Sequence, residues 1–203
     1  MGKAQLIDEL SRQIADRRVL AAIAAVPRDL FVPRIVRWEA WANTSLPIGD
    51  GQTISQPTVV ARMCELLELA GDETVLDVGT GSGYHAAVLA RLAARVISIE
   101  RHPRLSRRAR DALAAAGVEN VTLVVGDGSR GYPAEAPYRA INVAASSEHG
   151  VPQPLTDQLA DSGRLVIPVD DGRQHLTVVR RRGGELEQER HEPVRFVPLV
   201  TGD

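Results

Sequence analysis

The stretch Val75-Leu76-Asp77-Val78-Gly79-Thr80-Gly81-Ser82-Gly83-Tyr84 decides the fold. Thr74 to Val78 reads as a short apolar strand bounded by glycines, Gly79 to Gly83 as a glycine-rich turn, and His85 to Ala94 as a helix rich in alanine and leucine. Glycines at alternate positions remove the β-carbons that would hold a ligand off the backbone. The carboxyl end of a strand is also where open α/β sheets bind ligands.

Working outward, the same rhythm continues. Val96 to Ile99 is a second strand ending at Glu100, and Leu105 to Ala116 is a helix that Gly117 stops. Val121 to Val125, Ala140 to Val143 and Arg164 to Pro168 follow as strands, with a helix near Pro154 to Ala160. His175 to Arg181 and Val194 to Val200 read as later strands, and Gly183-Gly184 as a hairpin turn. Strands alternating with helices imply an α/β fold, a mostly parallel sheet with helices on both faces.

Upstream, Leu6, Ile7, Leu10, Ile14, Val19, Leu20 and Ile23 recur at helical spacing, with a break near Asp16. Pro27 and Pro33 end that pattern, and Arg34 to Asn43 reads as a short helix carrying Trp38 and Trp41. Leu46 to Gln52 is a turn-rich loop, and Pro57 suits the first turn of the helix Thr58 to Leu69. Residues 1–57 are therefore expected to form an N-terminal helical extension and residues 58–203 the sheet domain, as one compact unit.

Composition narrows the function classes. The 203 residues are 25% charged and 44% hydrophobic, the balance of a globular chain. A net charge of -2 shows no basic excess for nucleic acid, and 3% aromatics argue against a base-stacking platform. One cysteine excludes a disulfide framework, and the five histidines show no metal-ligand spacing. Apolar runs are too short for a membrane span, and Met1 to Leu10 lacks a signal-peptide core. A cytoplasmic monomer without a membrane, nucleic-acid or metal partner is the expectation.

The strand ends point to a nucleoside. Glu100 is placed to accept from a ribose diol, and Asp127, in Gly126-Asp127-Gly128, from an adenine amino group. The glycine spacing G-x-G-x-G departs from the dinucleotide fingerprint, and no lysine of a P-loop is present. Asp77 beside the loop disfavours a pyrophosphate and suits a cationic ligand with an amino group, which S-adenosylmethionine is. The same loop could instead be a tight turn with no ligand.

These residues, with others, resemble the protein-L-isoaspartate O-methyltransferase family from about Leu6 to Leu199. The resemblance is carried by Val26-Pro27-Arg28-Asp29-Leu30-Phe31-Val32-Pro33, Leu46-Pro47-Ile48-Gly49-Asp50-Gly51-Gln52-Thr53-Ile54-Ser55-Gln56-Pro57 and the glycine loop. Ser98-Ile99-Glu100-Arg101, Gly126-Asp127-Gly128, Ala136-Pro137-Tyr138, Gly163 to Val169 and Pro193 to Leu199 complete it. It implies a class I methyltransferase (Rossmann-like) fold and methyl transfer from S-adenosyl-L-methionine, leaving S-adenosyl-L-homocysteine. The implied acceptor is the free α-carboxyl of L-isoaspartyl residues in damaged proteins or peptides. Gly79, Gly81, Glu100 and Asp127 are implied cofactor contacts, and Asp77, Thr80, Ser82 and Gly128 complete the cofactor-binding set. Ser55 is implied to lie beside the acceptor, with Thr53 as a second hydroxyl able to hold the carboxylate. Ser55 could alternatively cap the helix that follows it.

Several features take plainer readings. Cys64 is expected as a small core residue and Arg180-Arg181-Arg182 as a solvated strand end. Trp38 and Trp41 either pack the N-terminal helices or roof the substrate site. Ser129 and Asp157 lack the elbow of a hydrolase triad. Against the family pattern, Arg139 replaces an aspartate; the position opens the fourth strand, so the change either alters only a structural contact or puts a positive charge near the active face. The loop Ala145 to Gly150 is longer, and Trp41 and Asn43 replace a tyrosine and an aspartate. These departures leave open an aspartyl O-methyltransferase that tailors one modified peptide.

Overall fold

The computed structural model describes residues 2–202. Its centre is a sheet in the order β5-β4-β3-β6-β7-β8-β9. The strands are β3 (Thr74–Val78), β4 (Arg95–Glu100), β5 (Val121–Val125), β6 (Tyr138–Val143), β7 (Leu159–Asp170), β8 (Gln174–Arg182) and β9 (Glu185–Pro193). β3 to β7 run parallel, and β8 and β9 complete the sheet as an antiparallel meander. Consecutive strands β3 and β4 are neighbours, but β6 lies on the other side of β3. The order therefore reverses between β3 and β6, which opens a crevice at their carboxyl ends.

Alternate residues of the central strands feed two cores. Val75, Val96, Ala140 and Val166 join the cluster that holds the N-terminal helices, while Leu76, Ile97, Ile141 and Leu165 join a cluster on the opposite face. Coverage is unequal. Helices α3 (Pro57–Leu67), α4 (Tyr84–Leu89) and α5 (Pro103–Ala115) contribute to the first cluster, and the five-residue α6 (Gln153–Asp157) supplies Leu155 to the second.

The N-terminal segment splits where its sequence suggests. Helix α1 (Lys3–Ser11) buries Leu6 and Leu10, and α2 (Arg17–Ala25) buries Val19, Ala22 and Ile23. The break arises because the Asp16 carboxylate accepts from Arg18 N and Val19 N, satisfying the first free donors of α2. Glu65 of α3 accepts from Ala15 N at 2.7 Å and Asp16 N at 3.0 Å, tying the break to the core. Arg34 to Glu39 is a 3₁₀ helix rather than an α-helix to Asn43. The loop Leu46 to Gln52 is an antiparallel hairpin of β1 (Leu46–Gly49) and β2 (Gln52–Ile54). Its turn places Gly49, Asp50 and Gly51 at φ of 93°, 53° and 70°, a run that two glycines make tolerable.

Three expectations need correction. Val194 to Val200 is not a strand; β9 ends at Pro193 and the segment continues as a strap. It is held by Gln174, whose Oε1 accepts from Phe196 N at 2.6 Å, and by Ser146, which exchanges hydrogen bonds with Val197 O and Leu199 N. The pairing with Ser146 is a single parallel bridge centred on Pro198 and does not extend into a strand. Of the three arginines only Arg182 is exposed; Arg180 and Arg181 are half-buried and partnered. Arg180 pairs with Glu189 at 2.7 Å, and Arg181 donates to Thr156 O at 2.7 Å. Arg139 is not near the active face; it pairs with Asp72 at 3.0 Å just before β3, at the amino ends of the strands. No described helix is long and apolar enough to cross a membrane.

Candidate active site

The glycine loop is folded by its neighbours. Gly79 N and Thr80 N donate to Ile99 O of β4 at 2.9 and 3.1 Å. Gly79, Gly81 and Gly83 sit at φ of 94°, 54° and 87°, so each needs the left-handed region that glycine enters without strain. A β-carbon on Gly83 would also stand 3.1 Å from Ala109 Cβ of α5. Glu100 accepts from Gly81 N at 2.8 Å through Oε2 and from His102 N at 2.9 Å through Oε1. A carboxylate has about four acceptor sites, so Glu100 keeps capacity for two hydroxyls in the cavity it lines.

The cavity lies over this loop. Gly79, Thr80, Gly81, Ser82, Glu100 and Gly128 all line it, which brings together most of the cofactor candidates read in the sequence. Thr53 and Ser55, from the far side of the hairpin, line it too. Backbone N–H groups, an acidic acceptor and apolar side chains (Val78, Ile99, Leu199) match a nucleoside with a diol. Arg101 also lines it, but its guanidinium donates to Val200 O at 3.0 Å.

Two sequence candidates stand back from the cavity. Asp77 has no exposed surface and lies beneath the loop. Its carboxylate accepts from Ser98 Oγ at 2.6 Å and Asn142 Nδ2 at 2.7 Å. Burial drives its pKa up to about 6, against the pull of those two hydrogen bonds. Asp77 thus braces β3 against β4 and β6 beneath the loop, through Ser98 and Asn142. Asp127 is absent from the lining, although its neighbour Gly128 is present. Asp127 Oδ1 accepts from Ser129 N and Ser129 Oγ, and Oδ2 from Gly202 N at 3.0 Å. Partial burial works against ionisation there, but the hydrogen bonds from Ser129 and Gly202 prevail and hold the carboxyl below its ordinary range.

Residues not singled out in the sequence complete the wall. His85 opens toward the cavity from the first turn of α4, and its Nε2 lies 3.5 Å from Cys64 Sγ. Its Nδ1 lies 3.3 Å from Asn142 Nδ2, so Cys64, His85, Asn142, Asp77, Ser98 and Thr80 form one buried polar chain. Burial pushes the His85 pKa down to about 3, so its ring is neutral at physiological pH. The position of His85 directly behind the glycine loop was the available signal; metal-ligand spacing was the wrong test for it. Cys64 is a buried core thiol, as its helix stripe implies.

A second cavity opens on the other side of the hairpin. Ser45, Gln56, Val59 and the strap residues Val194 to Phe196 line it. Thr53, Ser55, Ala144 and Val197 line both cavities, so these four residues stand between them. Ser55 does not cap α3. The cap position is Gln56, and the Ser55 carbonyl accepts from Arg28. Neither tryptophan lines these cavities: Trp38 is 77% exposed, and Trp41 packs against the core.

Comparison with known proteins places this geometry. The precorrin-6y C5,15-methyltransferase of Geobacter metallireducens superposes with a TM-score of 0.52 at 20% identity, covering 71% of this chain and 88% of that one. Fold and crevice together are those of the class I methyltransferases, as two nearer neighbours show. A solved protein-L-isoaspartate O-methyltransferase superposes with a TM-score of 0.89 at 27% identity; it covers 99% of this chain, which spans 66% of that longer one. A protein-L-isoaspartate O-methyltransferase structure from Plasmodium falciparum, in complex with S-adenosyl-L-homocysteine, gives 0.84 at 26% identity, covering 98% and 99% of the two chains. The relative from Methanoregula boonei, a protein-L-isoaspartate O-methyltransferase, is 55% identical over 191 residues, 93% of this chain and 87% of its own length. That from Aeromonas salmonicida is 51% identical over 200 residues, 98% and 97% of the two chains. The model of the protein-L-isoaspartate(D-aspartate) O-methyltransferase family matches residues 1–203, and the chain belongs to that family.

Proposed function

We propose that the inner cavity holds S-adenosylmethionine, that the outer cavity receives an isoaspartyl peptide, and that Thr53 and Ser55 hold the acceptor carboxylate at the boundary of the two. The enzyme is a protein-L-isoaspartate O-methyltransferase that methylates the free α-carboxyl of L-isoaspartyl residues. The observation that carries the site reading is the shared frame of Thr53, Ser55, Ala144 and Val197. When bound, S-adenosylmethionine supplies an electrophilic methyl group on a sulfonium.

The chain's own residues do the positioning. Glu100, fixed by two backbone N–H groups, accepts from the ribose hydroxyls. Gly79 and Gly81 leave the loop backbone bare, and Gly128 brings the end of β5 close to Val78. The acceptor carboxylate is ionised at neutral pH, so no general base is required. Hydroxyls at Thr53 and Ser55 orient one carboxylate oxygen toward the inner cavity, and such alignment accounts for much of the acceleration in transfers of this kind. Transfer removes one positive and one negative charge, which a site that excludes water favours. The backbone nitrogen that follows then attacks the ester carbonyl and expels methanol, closing a succinimide without further help, and hydrolysis of that ring returns some aspartate.

General repair is the reading favoured over a dedicated modified peptide. Arg139, one motive for the alternative, lies at the far end of the sheet. The test is methyl transfer from radiolabelled S-adenosylmethionine to matched isoAsp and Asp peptides of unrelated sequence. Base-labile label on the isoAsp members of each pair is expected. Label on the Asp members instead would overturn the reading.

A further inference from the structure

Arg28 has no exposed surface and is the bulkiest side chain so buried. It begins the 3₁₀ turn Arg28–Phe31, directly after Pro27. Its Nη2 donates to Thr44 O and to Ser55 O, each at 3.0 Å. Its guanidinium carbon stands 5.2 Å from the centre of the Tyr84 ring. Its Nε and Nη1 have no partner among the described residues, nor has the Tyr84 hydroxyl. Burial lowers its pKa to about 10, with Tyr84 the opposing influence and no carboxylate contributing. The group is therefore a cation at neutral pH with no counter-charge.

An unpaired buried charge is one of the more costly things a fold can contain. Tying two carbonyls together does not require one, since a neutral donor would serve. The position of this cation supplies a use: it grips the main chain of Ser55, a residue that lines both cavities. The ligand expected there is an anion.

We propose that Arg28 is a positioning residue for the acceptor carboxylate, fixing Ser55 through its carbonyl and supplying the missing counter-charge from behind the acceptor loop. The proposal rests on the site reading above. Its two parts separate kinetically. The charge stabilises the free carboxylate more than the transition state, in which that charge is being lost, so it belongs mainly in KM. The grip on Ser55 sets alignment and belongs mainly in kcat.

The test compares Arg28→Lys and Arg28→Met with the wild type, using an isoAsp peptide and measuring S-adenosylhomocysteine affinity alongside. Arg28→Lys keeps the charge and loses the double grip; a lower kcat with KM close to wild type is expected. Arg28→Met loses both, and its KM should rise about tenfold or more, the scale of a unit charge acting over several ångströms. S-adenosylhomocysteine affinity should hold in both. Equal KM in the two variants, or a KM that follows lost S-adenosylhomocysteine affinity, would overturn the proposal. If a variant does not fold, the wild type decides. The Arg28 guanidinium ¹⁵N resonances should move when the isoAsp peptide is added with S-adenosylhomocysteine, and not when the peptide's α-methyl ester is added. No movement with the free acid refutes the role. Absence of methylation by the wild type would instead refute the site reading beneath it.

Discussion

Replacing Ser55 by alanine separates a catalytic hydroxyl from a structural one. The fold uses the Ser55 carbonyl, which Arg28 holds at 3.0 Å, and that contact survives the substitution. The helix cap is Gln56, so no cap is lost. Removing a half-buried hydroxyl with neither duty should change stability by no more than about 0.5 kcal/mol. The hydroxyl's proposed bond is to a carboxylate, and hydrogen bonds to charged groups contribute about 1.5–3 kcal/mol. The expected loss in kcat/KM is therefore about tenfold to a hundredfold. Methyl transfer to an isoAsp peptide measures that loss, with thermal unfolding and calorimetric titration of S-adenosylhomocysteine as controls. An unchanged kcat/KM would remove Ser55 from the site. A large fall in melting temperature together with weaker S-adenosylhomocysteine binding would show that the serine is structural.

Other perturbations follow from the same geometry. Glu100→Gln puts an amide against either Gly81 N or His102 N, both of which now donate to the carboxylate; S-adenosylhomocysteine should bind about tenfold or more weakly by calorimetry. Gly128→Ala would put a β-carbon 2.5 Å from Val78 Cγ1, and overpacking of this kind costs about 1–3 kcal/mol. The double variant with Val78→Ala should recover part of that loss in urea unfolding; no recovery would mean the clash lies elsewhere. Asp77 has its pKa raised from 3.8 to about 6, so its favourable contribution is complete below pH 3.8 and is lost as pH rises through about 6. Relative to Asp77→Asn, the wild type should therefore gain about 2 kcal/mol between pH 7.5 and pH 4. A difference independent of pH would show that Asp77 does not titrate in that window.

The central strands were legible because parallel strands buried on both faces read as short, mostly apolar runs, as Val75 to Val78 and Val96 to Ile99 do, each interrupted by a single polar residue, Asp77 and Ser98. The break at Asp16 was legible because a capping side chain acts within three residues of itself. The strap was not, because it is fixed by the side chain of Gln174 and by Ser146, partners distant in sequence. Pairwise geometry decided the charged residues as well. Nothing local distinguishes Arg28, which is sealed, from Arg34, which is exposed, and nothing in its own neighbourhood sends Arg139 to Asp72. Within the site, the glycines and Glu100 were readable from strand-end position. The displacement of Asp77 and Asp127 from the cavity wall was not, because orientation depends on Ser98, Asn142, Ser129 and Gly202.

The four-residue frame between the cavities has an evolutionary consequence. The nucleoside side is built by strand ends and a glycine loop, whose tolerances are set by close backbone packing. The outer side is built largely from the strap and the hairpin edge, where Ser45 and Arg195 line the cavity without belonging to either core. Substitutions at Ser45 or Arg195 can therefore redraw which polypeptides are admitted while the donor half is inherited intact. Descendants of such a chain would diversify by changing their clientele long before they changed their reagent.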